Sequence, residues 1–370
     1  MTQRDEALRA AMAEADPSSL GAGERLRRRF GPDDAAWALG QTVLRRAAAS
    51  KFSRPDEMLF TRDGLEQASR ESVARWRAAR FVEAGVEEVW DLGCGIGSDA
   101  MAFSEAGLRV VAVDADAETA AVAAHNLALV GRGDVRVGLA EESEPPPGAA
   151  IFLDPARRTA KGRTWNVADF TPPWEFVLDQ LASDRFVAVK LGPGVPKELI
   201  PQGVLAGWVS EHGDVVEATL WNRLGPGTEA VVLPHVLHPG ATAPLDVRPL
   251  GQYLIEPDGA VIRSGLIADV APEADVWLLD PHTAYLSSDE PVDSPFATTF
   301  KVLDVLGFDV RALRRYVAEH GIGTLEIKKR AIDVDPALLR RQLKPRGRGS
   351  ATIILARTLM GTRAVIAARI

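Results

Sequence analysis

The run Val86–Trp90 ends at Asp91 and leads directly into Leu-Gly93-Cys94-Gly95-Ile-Gly97, after which an Ala-rich stretch begins at Ser98. Three glycines at alternate positions between a β-type run and a helical one permit a tight turn. They also let backbone approach a ligand and leave free N–H groups at a helix start. About twenty residues on, where such folds place an acid that accepts from ribose hydroxyls, a second β-rich run, Arg109–Val113, ends at Asp114. The spacing G-x-G-x-G differs from the G-x-G-x-x-G of nicotinamide and flavin dinucleotide sites. An acid stands two positions before the first glycine, where it can meet a ligand's ammonium group.

The same texture continues. A helix is expected over Glu118–Val130, strands over Val135–Gly138, Ala149–Leu153 and Phe186–Val189, and a hairpin from Asp214–Trp221 and Glu229–Leu233 around Gly225–Gly227. Thr171-Pro172-Pro173 reads as a helix start with Thr171 as N-cap. Strand–helix alternation ending in a hairpin predicts an α/β fold with a mostly parallel, Rossmann-like sheet and one antiparallel strand. Such sheets bind ligands beyond the carboxyl ends of their strands, where Asp91, Asp114, Asp154 and Lys190 all fall. Residues 1–80 read as a helical region, with helices near Asp34–Ser50 and Asp63–Glu83. Residues 81–235 form the sheet domain, and 236–370 a second α/β domain. In that last part a hairpin is expected around Pro257-Asp258-Gly259, followed by a helix (Val310–Glu319), a strand (Thr324–Lys329), a helix (Pro336–Leu343) and a hairpin (Ala351–Leu359 with Arg363–Ala368).

Composition narrows the class. The only cysteine, Cys94, excludes an intrachain disulfide and a Cys-rich zinc site. Six histidines in no metal-binding spacing predict no metal. No signal peptide or bilayer-length apolar run is visible, so a cytoplasmic protein with no membrane partner is expected. The net charge is −8, but residues 301–370 carry 15 Lys/Arg against 6 Asp/Glu (+9), which leaves −17 on the first 300. That asymmetry points to a polyanion for the C-terminal part.

The 86–233 span, including Ala124-His125-Asn126, resembles the class I S-adenosylmethionine-dependent methyltransferase fold. The resemblance implies S-adenosyl-L-methionine as cofactor, bound by Asp91, Gly93, Gly95, Gly97 and Asp114, with Glu141 after the third strand at the adenine. The fourth strand's motif in enzymes that methylate base nitrogens is Asp/Asn-Pro-Pro-aromatic. Here Asp154-Pro155-Ala156-Arg157-Arg158 keeps only its first two positions. Thr171-Pro172-Pro173-Trp174 resembles the missing part but is read as a decoy, with Trp165 or Trp174 left to stack on a base. Asp-Pro-x-Arg is also similar to uracil-C5 methyltransferases. Those need a cysteine nucleophile, and this chain's single cysteine sits in the glycine turn. Asp154, Lys190 and Glu217 resemble three members of the Lys–Asp–Lys–Glu tetrad of ribose 2′-O-methyltransferases. Lys51, the only lysine before the glycine turn, is no clear match for the first. Structural pairing of Lys190 with an acid is the plainer alternative. Asp154, Arg157, Lys190 and Glu217 are thus the catalytic candidates.

The tract from Leu325 to Arg348, with the start Pro55–Arg62 and the Asp154-Pro-Ala-Arg-Arg motif, resembles a bacterial methyltransferase family with a C-terminal THUMP-like domain. THUMP domains bind RNA, so Lys328, Arg330, Arg340, Arg341, Arg346 and Arg348 become candidate phosphate contacts. The expectation is methylation of tRNA or rRNA at a base nitrogen. The alternatives are ribose 2′-O methylation, a small-molecule or protein acceptor, and a non-catalytic RNA-binding protein. The oligomeric state is left open.

Overall fold

The computed structural model describes residues 2–131, 133–157, 165–240 and 243–370, with Arg157 described by its backbone alone. The chain forms two compact units: Met1–Leu205 with Thr219–Pro226, and Ala206–Ala218 with Gly227–Ile370.

The first unit opens with α1 (Gln3–Met12), α2 (Leu20–Phe30) and α3 (Pro32–Ala48), whose small apolar stripes (Ala7, Ala11, Leu26, Ala35, Ala38) pack together. Thr2 and Ser19 cap the first two, and Pro32 supplies the pre-set φ that starts the third. The single helix expected over Asp63–Glu83 is two, α4 (Arg62–Gln67) and α5 (Glu71–Glu83). The break has a cause: the carbonyls that would continue α4 accept instead from the Lys51 ammonium.

There follow β1 (Glu88–Leu92), α6 (Ser98–Glu105), β2 (Arg109–Asp114), α7 (Ala117–Ala128), β3 (Gly133–Val137) and β4 (Ala150–Leu153). A short ribbon of β5 (Ala156–Arg157) and β6 (Phe170–Thr171) precedes α8 (Trp174–Ala182) and β7 (Val187–Leu191). Next come β8 (Leu205–Glu211) and β9 (Asp214–Trp221). In this unit the strands lie in the order β9–β7–β4–β1–β2–β3, β9 taking part through Thr219–Trp221. The β7–β4, β4–β1, β1–β2 and β2–β3 pairs are all parallel. The order turns back between β1 and β4, the switch point at which parallel sheets open a crevice. Beneath it, Phe81, Phe103, Phe152 and Trp221 are each at most 1% exposed, with edge-on contacts of 4.8 Å for Phe81–Phe103 and 5.7 Å for Phe81–Trp221. Burying each such ring stabilises by about 1.5–3 kcal/mol.

The helix expected from Thr171 begins at Trp174. Thr171 is in β6, and Pro173 stands at the cap position with no side-chain hydrogen bond. Trp174 is buried against Phe170, with ring centroids 5.3 Å apart, so it is a core residue and not a free stacking platform.

In the second unit β8 and β9 (through Asp214–Ala218) are joined by His212–Gly213, with φ of 53° and 84°. Positive φ at both turn positions is the geometry that closes a two-residue hairpin. β10 (Gly227–Val232) and β11 (His235–Leu237) continue the order as β11–β10–β8–β9. The expected hairpin between Asp214–Trp221 and Glu229–Leu233 is therefore not formed: β10 lies against β8. The strand that takes its place, Leu205–Glu211, has an almost wholly buried pattern and lacks the alternation that marks a strand in sequence.

The rest of this unit comprises β12 (Tyr253–Pro257), α9 (Gly259–Ser264), β13 (Trp277–Leu278), β14 (Leu286–Ser288), β15 (Ala297–Gly307) and α10 (Val310–Glu319). It ends with β16 (Ile322–Lys329), α11 (Pro336–Leu343), β17 (Gly349–Thr358) and β18 (Gly361–Arg369). The expected hairpin at Pro257-Asp258-Gly259 is a helix start: Asp258 accepts from Ala260 N at 2.8 Å. Seven strands form one sheet in the order β13–β14–β12–β15–β18–β17–β16, parallel only at β16–β17. Ile353 and Leu355 of β17 meet Leu313, Val317, Leu339 and Leu343 of the two long helices, while Ile354 and Ala356 belong to the opposite core with Leu254 and Phe300. Asp309 and Asp335 cap the two helices, whose bounds agree with those expected.

Candidate donor site and basic face

The glycine turn holds Gly93, Gly95 and Gly97 at φ of 95°, 55° and 83°. At Gly97 a side chain is excluded twice over, because a Cβ would also come within 3.3 Å of Ala123. Val113 O accepts from Gly93 N (2.9 Å) and Cys94 N (3.0 Å), and Asp114 Oδ2 accepts from Gly95 N at 2.9 Å. The second strand therefore shapes the turn of the first.

A cavity of ≈ 260 Å³ opens above this turn, and Asp91, Gly93, Gly95, Asp114, Glu141 and Asp154 are all among its walls. Gly97 is outside the lining and packs α6 onto α7. Cys94 is buried, and burial together with Asp91 and Asp114 pushes its thiol well above the usual range. Asp91 is fully buried, and neither carboxylate oxygen has a hydrogen-bond partner among the described residues. Burial, reinforced by Asp154 and opposed by Arg77 and Lys190, pushes its pKa up to about 8. Asp99, also in the wall, is by contrast satisfied: it accepts from Ser69 Oγ at 2.7 Å and pairs with the buried Arg77. Asp114 is raised by burial against two backbone hydrogen bonds that favour its charge.

Of the catalytic candidates, Asp154 follows β4 and accepts from Lys190 Nζ at 2.5 Å. Lys190 is outside the cavity wall and also donates to Gln67 O at 3.2 Å. Arg157 lies in β5, paired through its backbone with Phe170, and Arg158 is outside the described residues. Glu217 is buried within β9, in the part of that strand belonging to the second unit.

Two parts of the wall were not foreseen. Thr171 and Pro172, set aside as a decoy, reach the cavity because β6 pairs with β5, with Ala156 opposite Thr171. The N-terminal helical region contributes Gly64, Gln67 and Ala68. Lys51 donates to the carbonyls of Leu65 (2.7 Å), Glu66 (2.9 Å) and Ala68 (3.0 Å), which uses all three of its protons. Burial, and then the charge of Lys190, lowers its pKa.

The basic candidates divide. Lys328 pairs with Glu256 at 2.7 Å, and Arg330 with Glu256 at 3.4 Å and the Pro257 carbonyl at 3.1 Å. Each retains about a quarter of its side-chain exposure. These two are engaged within the fold, unlike the remaining basic candidates. Arg340, Arg341, Arg346 and Arg348 are exposed, with no salt bridge among the described residues. Arg311, Arg314 and Arg315 of α10, missed in the sequence, are exposed as well, and α10 packs against α11. The signal was present: the capped helix with Leu313 and Val317 inward places these arginines outward. Among the described residues no group of acids, histidines or cysteines is placed to hold a metal, and no helix is long and apolar enough to cross a membrane.

A family model for a THUMP domain-like segment matches residues 297–369, which is β15 to β18. Proteins from two strains of Mycobacterium tuberculosis, each described as an uncharacterized S-adenosylmethionine-dependent methyltransferase, are 36% identical over 358 residues, covering 91% of this chain and 96% of theirs. A crystal structure described as a methyltransferase of Porphyromonas gingivalis W83 superposes with a TM-score of 0.75 at 20% identity, over 99% of this chain and 97% of that one. The glycine turn, the acids at its strand tips and these relatives agree: the chain belongs to the S-adenosylmethionine-dependent methyltransferases, uses S-adenosyl-L-methionine, and carries a THUMP-like segment at its C-terminal end.

Proposed function

We propose that this methyltransferase acts in the cytoplasm on tRNA or rRNA and transfers the methyl group to a base nitrogen. The observation that carries the reading is the set of exposed, unpaired arginines on α10, on α11 and after α11, within a segment matched as THUMP-like. Guanidinium groups without carboxylate partners are available to phosphates.

In this reading the residues fit the donor. The two unpartnered oxygens of Asp91 suit an ammonium group, and Asp114, with lone pairs left after two backbone bonds, suits the ribose hydroxyls. Glu141 lines the cavity after β3, where the adenine is expected, and the Gly93–Gly97 backbone lets the ligand approach. S-adenosylmethionine supplies an electrophilic methyl group on its sulfonium. Asp154, steadied by Lys190, orients the attacking nitrogen; Arg157 grips the acceptor's phosphate or base edge. The base is favoured over a ribose hydroxyl because Lys51 has no proton left to offer a substrate, so the 2′-O tetrad lacks its first member. We further infer that the THUMP-like domain over 236–370 recruits RNA, that the 81–235 domain performs transfer, and that region 1–80 walls the site.

The test is mass mapping of modified nucleosides in tRNA and rRNA from cells with and without the protein. Loss of one methylated base is expected. A lost 2′-O-methyl nucleoside would move the reading to the ribose, and an unchanged profile would overturn it.

A further inference from the structure

Four consecutive carbonyls, those of residues 65–68, each accept from a lysine ammonium: Leu65, Glu66 and Ala68 from Lys51, and Gln67 from Lys190. On either side, Gly64 sits so close to Ile96 that a Cβ would fall 2.3 Å from its Cγ2, and Ser69 donates to Asp99 at 2.7 Å. Burial and the nearby charge of Lys190 lower the proton affinity of Lys51, so this arrangement is unfavourable in itself. Of the two exposed side chains in this held stretch, Glu66 and Gln67, Gln67 is the one in the wall of the donor cavity alongside Asp154. Its carboxamide makes no hydrogen bond among the described residues.

We propose that Gln67 reads the methyl acceptor, its carboxamide hydrogen-bonding the edge of the base presented to Asp154; this rests on the RNA reading above. A carboxamide offers a donor pair and an acceptor on one plane, which matches the alternating donors and acceptors of a heterocyclic base. The Asp154 carboxylate, held by Lys190, offers a second kind of partner. Lys190 touches both the Asp154 carboxylate and the Gln67 carbonyl, so one cation sets the spacing between the group that orients the nitrogen and the group that selects the base. The N-terminal helices thereby serve the chemistry directly, because they carry the reading residue into a site otherwise built by the sheet.

The test compares full-length wild type with Gln67→Ala and with Gln67→Glu, which keeps the length and loses the donors. Donor binding is followed by calorimetry with S-adenosylmethionine. Acceptor use is followed by transfer of labelled methyl to bulk RNA extracted from cells lacking the protein. Both variants should bind the donor as wild type does, and their kcat/KM for RNA should fall about 10-fold or more, mostly through KM. Wild-type labelling of RNA by Gln67→Ala overturns the proposal and leaves the RNA reading standing. Loss of donor binding in both variants also overturns it, by making Gln67 a donor residue. A wild-type enzyme that binds the donor and transfers no label to this RNA overturns both.

Discussion

Each unit holds a carboxylate shielded from water, and the two are treated in opposite ways. Asp91 in the first has no partner for either oxygen and is held near neutrality by its surroundings. Glu256 in the second is met by Lys328 and Arg330 together. A satisfied cluster stabilises a fold, whereas an unsatisfied one is an unfinished interaction that some ligand must complete. The same distinction sorts the basic residues of the second unit. Lys328 and Arg330 are committed, and Arg315, Arg340 and Arg341 are not.

The sharpest way to break this contrast is Asp91→Asn. Removing the charge should weaken S-adenosylmethionine binding about 10- to 100-fold by calorimetry, since charge-assisted bonds contribute roughly 1.5–3 kcal/mol. Undiminished binding would show that the lone carboxylate is not waiting for the donor. Next, replacing Arg315, Arg340 and Arg341 by Gln should lower the slope of log K for bulk RNA against log salt by about three, one for each phosphate no longer neutralised. Lys328→Gln should leave the slope unchanged, and an equal loss there would erase the division between paired and unpaired cations. Glu256→Ala should destabilise the protein by about 1–2 kcal/mol in denaturant unfolding, because two partly shielded cations lose the carboxylate they share and Lys328 keeps only Glu326 among the described residues, with donor affinity intact. The effect with the smallest slope concerns pH. Asp91 keeps its proton to about pH 8 in the folded, donor-free protein, whereas its ordinary value is 3.8. The folded state therefore holds the extra proton between these values, and raising pH from 6 to 8 should lower stability, by up to about 1 kcal/mol per unit. Asp91→Asn should flatten that slope, and S-adenosylmethionine, by favouring the charged form, should release a proton on binding.

Much of this was legible in the sequence because it rests on short-range rules. The glycine turn, the acids at the strand tips and the helices Val310–Glu319 and Pro336–Leu343 all follow from periodicity, caps and turn chemistry. What escaped depends on partners distant in sequence. Nothing near Lys328 reveals that Glu256 will meet it. Nothing near Thr171 shows that Ala156 will pair with it and draw Pro172 to the cavity. Asp258 after a proline and before a glycine suits a hairpin as well as a helix cap, and only the packing of Ala260 and Val261 decides. Gln67 is an ordinary surface residue until two lysines, one 16 positions before and one 123 after, fix its backbone.

The chain enters the second unit at Ala206, returns to the first through Thr219–Pro226, and leaves again at Gly227. No single cut can release both parts whole. A fragment starting after residue 235 would lack the hairpin of β8 and β9, and one stopping at Leu205 would forfeit the outermost strand of its own sheet. During synthesis the first part stays incomplete until residue 226 has left the ribosome, by which time the residues of the second part's leading hairpin have already been made. Grafting a new recruiting module onto this catalyst would therefore mean replacing two separate stretches of gene.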